Sequence, residues 1–114
     1  ENFIRCSFYE LVSRYLSSCY TFAIEQNNSA GRSDFEMAGI PGTDYYTDDR
    51  VVEFKYYRGK DAERMLSLSE PLPEHVEQVK GYAEDTKRKF PNYNVRTYVV
   101  YICSNKGWKC WEVY

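Results

Sequence analysis

The spacing of hydrophobic and polar positions changes several times along the chain, and each change predicts an element. Apolar residues at helical spacing predict an amphipathic helix over residues 1–18. Aromatic and β-branched runs predict strands at 19–24 and 32–37, joined by turn residues at 27–31. A loop rich in Gly and Asp follows at 39–49, and a third strand is predicted at 50–57. The apolar face of the helix comprises Ile4, Phe8, Leu11, Val12, Tyr15 and Leu16.

The second half of the chain predicts two helices and then two strands. The helices are expected at 60–68 and 74–90, separated by a break at 70–73 that contains two prolines. Strands follow at 95–103 and 108–114, joined by a turn. Because the helices lie between the third and fourth strands, that connection is long enough for a crossover, and part of the sheet is expected to be parallel. The fold class predicted is α/β in the broad sense, namely an α+β arrangement with a mixed central sheet of about five strands flanked by helices.

Length and charge narrow the function classes. The chain has 114 residues, which suits one domain, and a net charge of −2. Any affinity for nucleic acid must therefore come from a local patch. The first residue is Glu rather than Met, so we expect a fragment of a longer chain. No apolar run is long enough to span a bilayer.

Four cysteines form no Cys-x-x-Cys pair, which disfavours a zinc site. If Lys106 and Gly107 form a two-residue turn, Cys103 and Cys110 would face each other across a hairpin. A disulfide between them is then conceivable, although free thiols are expected in a cytosolic protein.

Two charges stand inside the apolar third strand, at Glu53 and Lys55. Side chains two apart on a strand project from the same face, so the carboxylate and the ammonium lie side by side. Asp34, in the neighbouring strand, supplies a second carboxylate. Together with the backbone carbonyl of Phe54, these groups are suited to a divalent cation and an activated water. The alternative is that Glu53 and Lys55 each pair with a neighbouring strand on an exposed sheet face.

Other polar residues admit both functional and structural interpretations. Gln78 and Tyr82 share one helix face; helix statistics alone favour a solvent-facing Gln and a core Tyr. The only histidine, His75, is expected at the surface. The loop aspartates could bind a metal, and the basic residues of the second helix could contact a phosphate backbone. Solvation is expected instead for both groups, and a surface position is expected for the serines after the first of the two helices. These residues are Asp44, Asp48, Asp49, Ser67, Ser69, Lys80, Glu84, Asp85, Lys87, Arg88 and Lys89.

This order of elements and motifs resembles the PD-(D/E)XK nuclease superfamily. The likeness rests on Gly-Arg-Ser-Asp34-Phe, on Val-Val-Glu53-Phe-Lys55 and on Gln78-x-x-x-Tyr82. More narrowly, the chain is similar to the nuclease-like domain found C-terminal to an AAA-ATPase-like domain in many bacterial proteins. Ser33 stands where the family name has proline.

The resemblance implies Mg²⁺ or Mn²⁺ as the cofactor, with Asp34, Glu53 and the Phe54 carbonyl as ligands. It implies Lys55 as the catalytic lysine, and Gln78 and Tyr82 as the motif of the exonuclease-like branch. An additional metal-facing glutamate on the first helix would be Glu1, with Glu10 as the alternative.

Three functions follow as hypotheses. The first is a cytoplasmic, metal-dependent nuclease that hydrolyses DNA. The second is a catalytically inactive nuclease-fold module that binds DNA or regulates an attached ATPase. The third is a structural interaction domain, supported by the surplus of aromatic residues.

Overall fold

The computed structural model describes the backbone of residues 2–28 and 31–113, and the side chains of residues 7–22 and 35–113. Within this part, three helices and five strands follow one another in the predicted order. Their bounds are α1 Asn2–Leu16, β1 Tyr20–Asn28, β2 Gly31–Gly39, β3 Asp48–Tyr57, α2 Gly59–Leu66, α3 Pro73–Lys89, β4 Asn94–Cys103 and β5 Gly107–Glu112.

The strands form one mixed sheet in the order β1-β2-β3-β4-β5. All neighbouring pairs are antiparallel except β3 and β4, which are parallel. The connection between these two contains α2 and α3, as a crossover requires. The fold is therefore the mixed α+β architecture predicted, and it is consistent with a restriction-endonuclease-like fold. The strand expected to be most central, β3, lies in the middle of the sheet.

The two faces of the sheet are covered by different helices. On one face, α2 and α3 pack against alternate residues of β3 and β4 to form a buried cluster that includes Val51, Val79, Val99 and Tyr101. We call this the α2–α3 face. On the other, the α1 face, Phe8, Val12 and Leu16 of α1 pack against a cluster that contains Phe35, Met37, Val52 and Phe54. Successive residues of β3 thus alternate between two separate cores.

Helix α1 covers its face incompletely. Leu11 and Tyr15, which helical spacing predicts on the apolar face, are 55% and 71% exposed. Ile4 lies outside the described side chains. An apolar groove of about 630 Å³ extends from α1 along β4 and β5, where it is lined by Tyr98, Val100 and Trp108. No helix in the described part of the chain is both long enough and apolar enough to cross a membrane.

The β4–β5 hairpin has a different register from the one that would bring two cysteines together. Cys103 pairs with Gly107, and Cys110 pairs with Val100. The turn comprises residues 104–106, with Ser104 in the left-handed region at φ 52°. Because this turn is one residue longer than expected, the predicted facing of Cys103 and Cys110 is wrong. Both are free thiols, one buried and one exposed, as the preference for free thiols predicts.

Candidate functional site

Glu53 and Lys55 of β3 bring opposite charges together on the α2–α3 face. Each alternates with Val52 and Phe54, which belong to the α1-face core. The Glu53 side chain is buried, with 3% exposure. Lys55 Nζ lies 3.9 Å from Glu53 Oε2. The predicted side-by-side arrangement is therefore present, and the alternative of an exposed sheet face is wrong for Glu53.

Asp34 is next to this pair along the backbone of the sheet. In the antiparallel β2–β3 register, Phe35 is opposite Val52. Asp34 directly precedes the first of these residues, and Glu53 directly follows the second. The Asp34 side chain lies outside the described side chains, and Glu1 lies outside the described residues altogether. Their assignment as metal ligands stays a prediction.

The remaining candidates for the metal site have different surroundings. The Phe54 ring lies on the α1 face, 5.3 Å from the ring of Phe8, while its backbone is in β3 between the two charged residues. Glu10, the alternative to Glu1, is exposed and forms a salt bridge to Arg14 at 3.2 Å. In the part of the chain with described side chains, no three His, Cys, Asp or Glu residues form a group that could hold a metal ion.

The predicted Gln-x-x-x-Tyr motif is a hydrogen-bonded pair. Gln78 Nε2 donates to the hydroxyl of Tyr82 at 2.7 Å. Tyr82 is 2% exposed and belongs to the core between α3 and the sheet, so its structural assignment is confirmed. Gln78 is half-buried, so it is neither fully solvent-facing, as helix statistics favour, nor part of the core. The core tyrosine instead fixes the orientation of the amide.

His75 is the functional candidate that sequence reasoning missed. It was expected at the surface, but it is half-buried, and its Nδ1 lies 2.5 Å from the hydroxyl of Tyr101. Burial lowers the pKa of His75, and the positive charge of Lys55 lowers it further. A sequence signal existed, because His75, Gln78 and Tyr82 are spaced i, i+3, i+7 on one face of α3. The proline at the start of the helix instead suggested an exposed first turn.

Tyr101 connects His75 to the charged pair. It is fully buried in β4 and is the register partner of Lys55 in the parallel β3–β4 ladder. Its oxygen accepts a hydrogen bond from the Leu72 amide at 2.9 Å. Burial raises the pKa of the neighbouring Tyr57 to about 12, and the charge of nearby Glu74 contributes to the rise. The position of Tyr101 between His75 and Lys55 could not be predicted from sequence, because it depends on which strand is next to β3.

Two aspartates predicted in the loop lie in β3, where they are not simply solvated. Asp48 accepts hydrogen bonds from Tyr20 at 2.6 Å and from Arg50 at 3.0 Å. Burial raises the pKa of Asp48, but these hydrogen bonds outweigh burial and leave the pKa below its ordinary value. Asp49 is 2% exposed, and burial raises its pKa to about 7. Asp44 is exposed in the loop, as expected.

The charges near the end of α3 are mostly solvated, as the mixed pattern predicts. Lys87, Arg88 and Lys89 are exposed. The exception is Asp85, which is 4% exposed and forms salt bridges to Arg88 at 2.9 Å and to Lys89 at 3.2 Å.

Comparison with known proteins agrees with this geometry. A family model described as the PD-(D/E)XK nuclease superfamily matches residues 1–112. No curated protein and no solved structure matches the chain. The match covers both strands that carry the acidic residues, the whole crossover and the parallel strand beyond it. The chain therefore belongs to the PD-(D/E)XK nuclease superfamily.

Proposed function

We propose that the protein is a metal-dependent nuclease that hydrolyses phosphodiester bonds in DNA. The observation that carries the proposal is the buried Glu53 carboxylate with the Lys55 ammonium 3.9 Å away, on the sheet face covered by α3. Burying a carboxylate such as that of Glu53 is costly unless it pairs with an opposite charge or a bound ion. In a chain that belongs to this superfamily, a catalytic role accounts for the two charges at this position.

The donor atoms suit a divalent cation such as Mg²⁺ or Mn²⁺. A hard cation prefers oxygen ligands, and the buried carboxylate of Glu53 provides such oxygen atoms. We assign Asp34, Glu53, the carbonyl of Phe54 and Glu1 as the residues that would hold the ion. When bound, the ion would supply a water of lowered pKa and stabilise negative charge on the phosphoryl group.

The reaction is a hydrolysis and needs no redox partner. An oxygen atom of water forms a new bond to phosphorus, and one ester bond between phosphorus and a sugar oxygen breaks. One proton leaves the water and one reaches the departing sugar oxygen, so that a terminal phosphate and a hydroxyl result. In this scheme Lys55 orients the water and compensates the negative charge that develops on the phosphate oxygens.

Gln78 has a binding role in this scheme. Its amide donates one hydrogen to Tyr82 at 2.7 Å, which leaves a second hydrogen and the carbonyl oxygen for other partners. Because Tyr82 is anchored in the core, the amide is held in a fixed orientation before substrate binds. We assign Gln78 to contact a DNA phosphate and Tyr82 to position it.

Cleavage of a labelled DNA duplex in Mn²⁺ tests the proposal. Lys55→Ala should reduce the cleavage rate by about 100-fold or more, because a positioned acid–base or charge-stabilising group typically contributes that much. Asp34→Asn should abolish both cleavage and saturable Mn²⁺ binding measured by calorimetry. Lys60→Ala is the matched control, since Lys60 is an exposed lysine in the first turn of α2, and it should cleave like wild type.

Other outcomes decide between the hypotheses. DNA binding without cleavage that survives Lys55→Ala would support the inactive module. Cleavage of RNA but not of DNA of the same sequence would contradict the assigned substrate. Indifference to DNA, RNA and metal would favour a structural domain. The cytoplasmic location and the N-terminal ATPase-like domain stay predictions, and the mass and fractionation of the native polypeptide test both.

A further inference from the structure

The hydroxyl of Tyr101 lies within hydrogen-bond distance of both the Leu72 amide and His75 Nδ1. A phenol oxygen accepts hydrogen bonds and donates one hydrogen. The Leu72 amide, 2.9 Å away, can only donate, so the Tyr101 oxygen accepts there. We assign the phenol hydrogen to His75 Nδ1, whose distance from this oxygen is 2.5 Å. With Nδ1 as the acceptor, a neutral imidazole carries its proton on Nε2.

The surroundings of His75 keep this neutral form at physiological pH. Burial is the largest cause that lowers the pKa of His75, and the charge of Lys55 acts in the same direction. Glu74, the preceding residue of α3, opposes them and is exposed. The position of His75 in the first turn of a helix also disfavours a positive charge. The imidazole is therefore a neutral donor of fixed orientation.

His75 lies near Lys55 of the candidate catalytic pair, whose charge acts on it. Tyr101 is fully buried and contacts Nδ1, whereas His75 as a whole is half-buried, which is compatible with a solvent-accessible Nε2 edge. Tyr101 is also the register partner of Lys55. The His75 Nε2–H group, the Lys55 ammonium and the positive end of α3 are all suited to an anion.

We propose that His75, held by Tyr101, donates a hydrogen bond from Nε2 to a phosphate of the DNA whose cleavage involves Lys55. This inference rests on the proposed nuclease function and assigns it a further substrate-binding residue. Tyr101 is a positioning residue, because it acts through His75 and does not itself touch the substrate.

Two substitutions at His75 distinguish the roles of the two nitrogen atoms of the ring. His75→Asn keeps a polar atom near the position of Nδ1 and removes the group at Nε2, whereas His75→Gln places an amide donor near Nε2. If Nε2 binds phosphate, His75→Asn should lower kcat/KM by about 10- to 100-fold, the range expected for a hydrogen bond to a charged group. His75→Gln should retain most of the activity. If His75 only supports Tyr101, the order of the two variants reverses, and the proposal is wrong.

Because His75 is the only histidine, imidazole ¹H–¹⁵N correlation spectra report on it without ambiguity. The wild-type protein should show the Nε2–H tautomer, and Tyr101→Phe should increase the share of the Nδ1–H form. Addition of duplex DNA, in Ca²⁺ buffer in which cleavage has been verified to be absent, should shift the Nε2 resonance. A tautomer other than Nε2–H, or DNA binding without a shift at Nε2, would overturn the proposal.

Failure of the nuclease function and failure of the role of His75 give different results. If wild type cleaves DNA and both His75 variants cleave equally well, the nuclease function stands and the role of His75 is refuted. If wild type neither cleaves DNA nor binds it by fluorescence anisotropy, the nuclease function fails, and the role of His75 fails with it. Circular dichroism of each variant distinguishes lost activity from lost folding.

Discussion

At Asp49, a single carboxylate is enclosed in β3 with 2% exposure, and no described hydrogen-bond partner reaches its Oδ1 atom. Burial raises its pKa to about 7, and the charges of Glu36 and Asp48 add to the effect. The folded state therefore binds a proton that the unfolded state, with an ordinary aspartate pKa, has already released. Stability should fall as the pH rises through the window between about 4 and about 7.

Asp49→Asn should remove this dependence. At pH 8 the variant should be more stable than wild type by on the order of a few kcal/mol, because wild type then holds an unpaired buried charge. At pH 4 the two proteins should be similar. Urea denaturation at both pH values measures the difference. Asp44→Asn, at an exposed loop carboxylate, should change stability by less than about 0.5 kcal/mol.

For single residues, some features could be predicted from the sequence and others could not. The shared face of Glu53 and Lys55 follows from strand periodicity alone and is confirmed. The burial of Asp49 could not be predicted, because its neighbours Gly, Pro, Thr and Asp are typical of a loop. The role of His75 was missed for a similar reason, since its partner Tyr101 is distant in sequence and meets it only through tertiary packing.

At the scale of elements, β5 presents two tryptophans to very different surroundings. Trp111 packs against Tyr101, with 5.0 Å between ring centres, and its Nε1 donates to the Ser69 carbonyl at 3.1 Å. Trp108 is 68% exposed and lines the apolar groove. The same strand therefore supplies a structural aromatic residue and a surface one.

Trp111→Ala should destabilise the protein by about 2–4 kcal/mol, because it removes a large half-buried ring and leaves the Ser69 carbonyl without its donor. Trp108→Ala, the matched control in the same strand, should cost less than about 1 kcal/mol. Urea denaturation followed by far-UV circular dichroism compares them. Equal losses in the two variants would contradict the assignment of β5 faces.

The order and type of all the elements could be predicted, since hydrophobic periodicity and turn residues determine them locally. The exact bounds of the strands and their register were harder to predict. β3 begins at Asp48, two residues earlier than expected, because its first residues pair with β4. The register of β5 follows from a three-residue turn whose left-handed Ser104 has no clear signature in sequence.

For the whole molecule, the parallel pairing of β3 and β4 determines how the site is assembled. Glu53 and Lys55 come from β3, His75 and Gln78 from α3, and Tyr101 from β4. Lys55 cannot meet Tyr101 until residues 58–93 have been closed into a crossover, and such non-local pairing slows folding. In refolding from urea, recovery of DNA cleavage should coincide with recovery of far-UV circular dichroism. Cleavage that returns before the secondary structure would contradict this coupling.

The crossover also has a consequence during synthesis on the ribosome. A nascent chain that has emerged only as far as α3 already contains Asp34, Glu53, Lys55 and His75, but it lacks β4. It therefore has neither the parallel neighbour of β3 nor the hydroxyl that orients the imidazole. Any chemistry that needs this neighbouring strand and this hydroxyl therefore has to wait until β4 has been synthesised. Synthesis of β4 is thus the step that completes the candidate site.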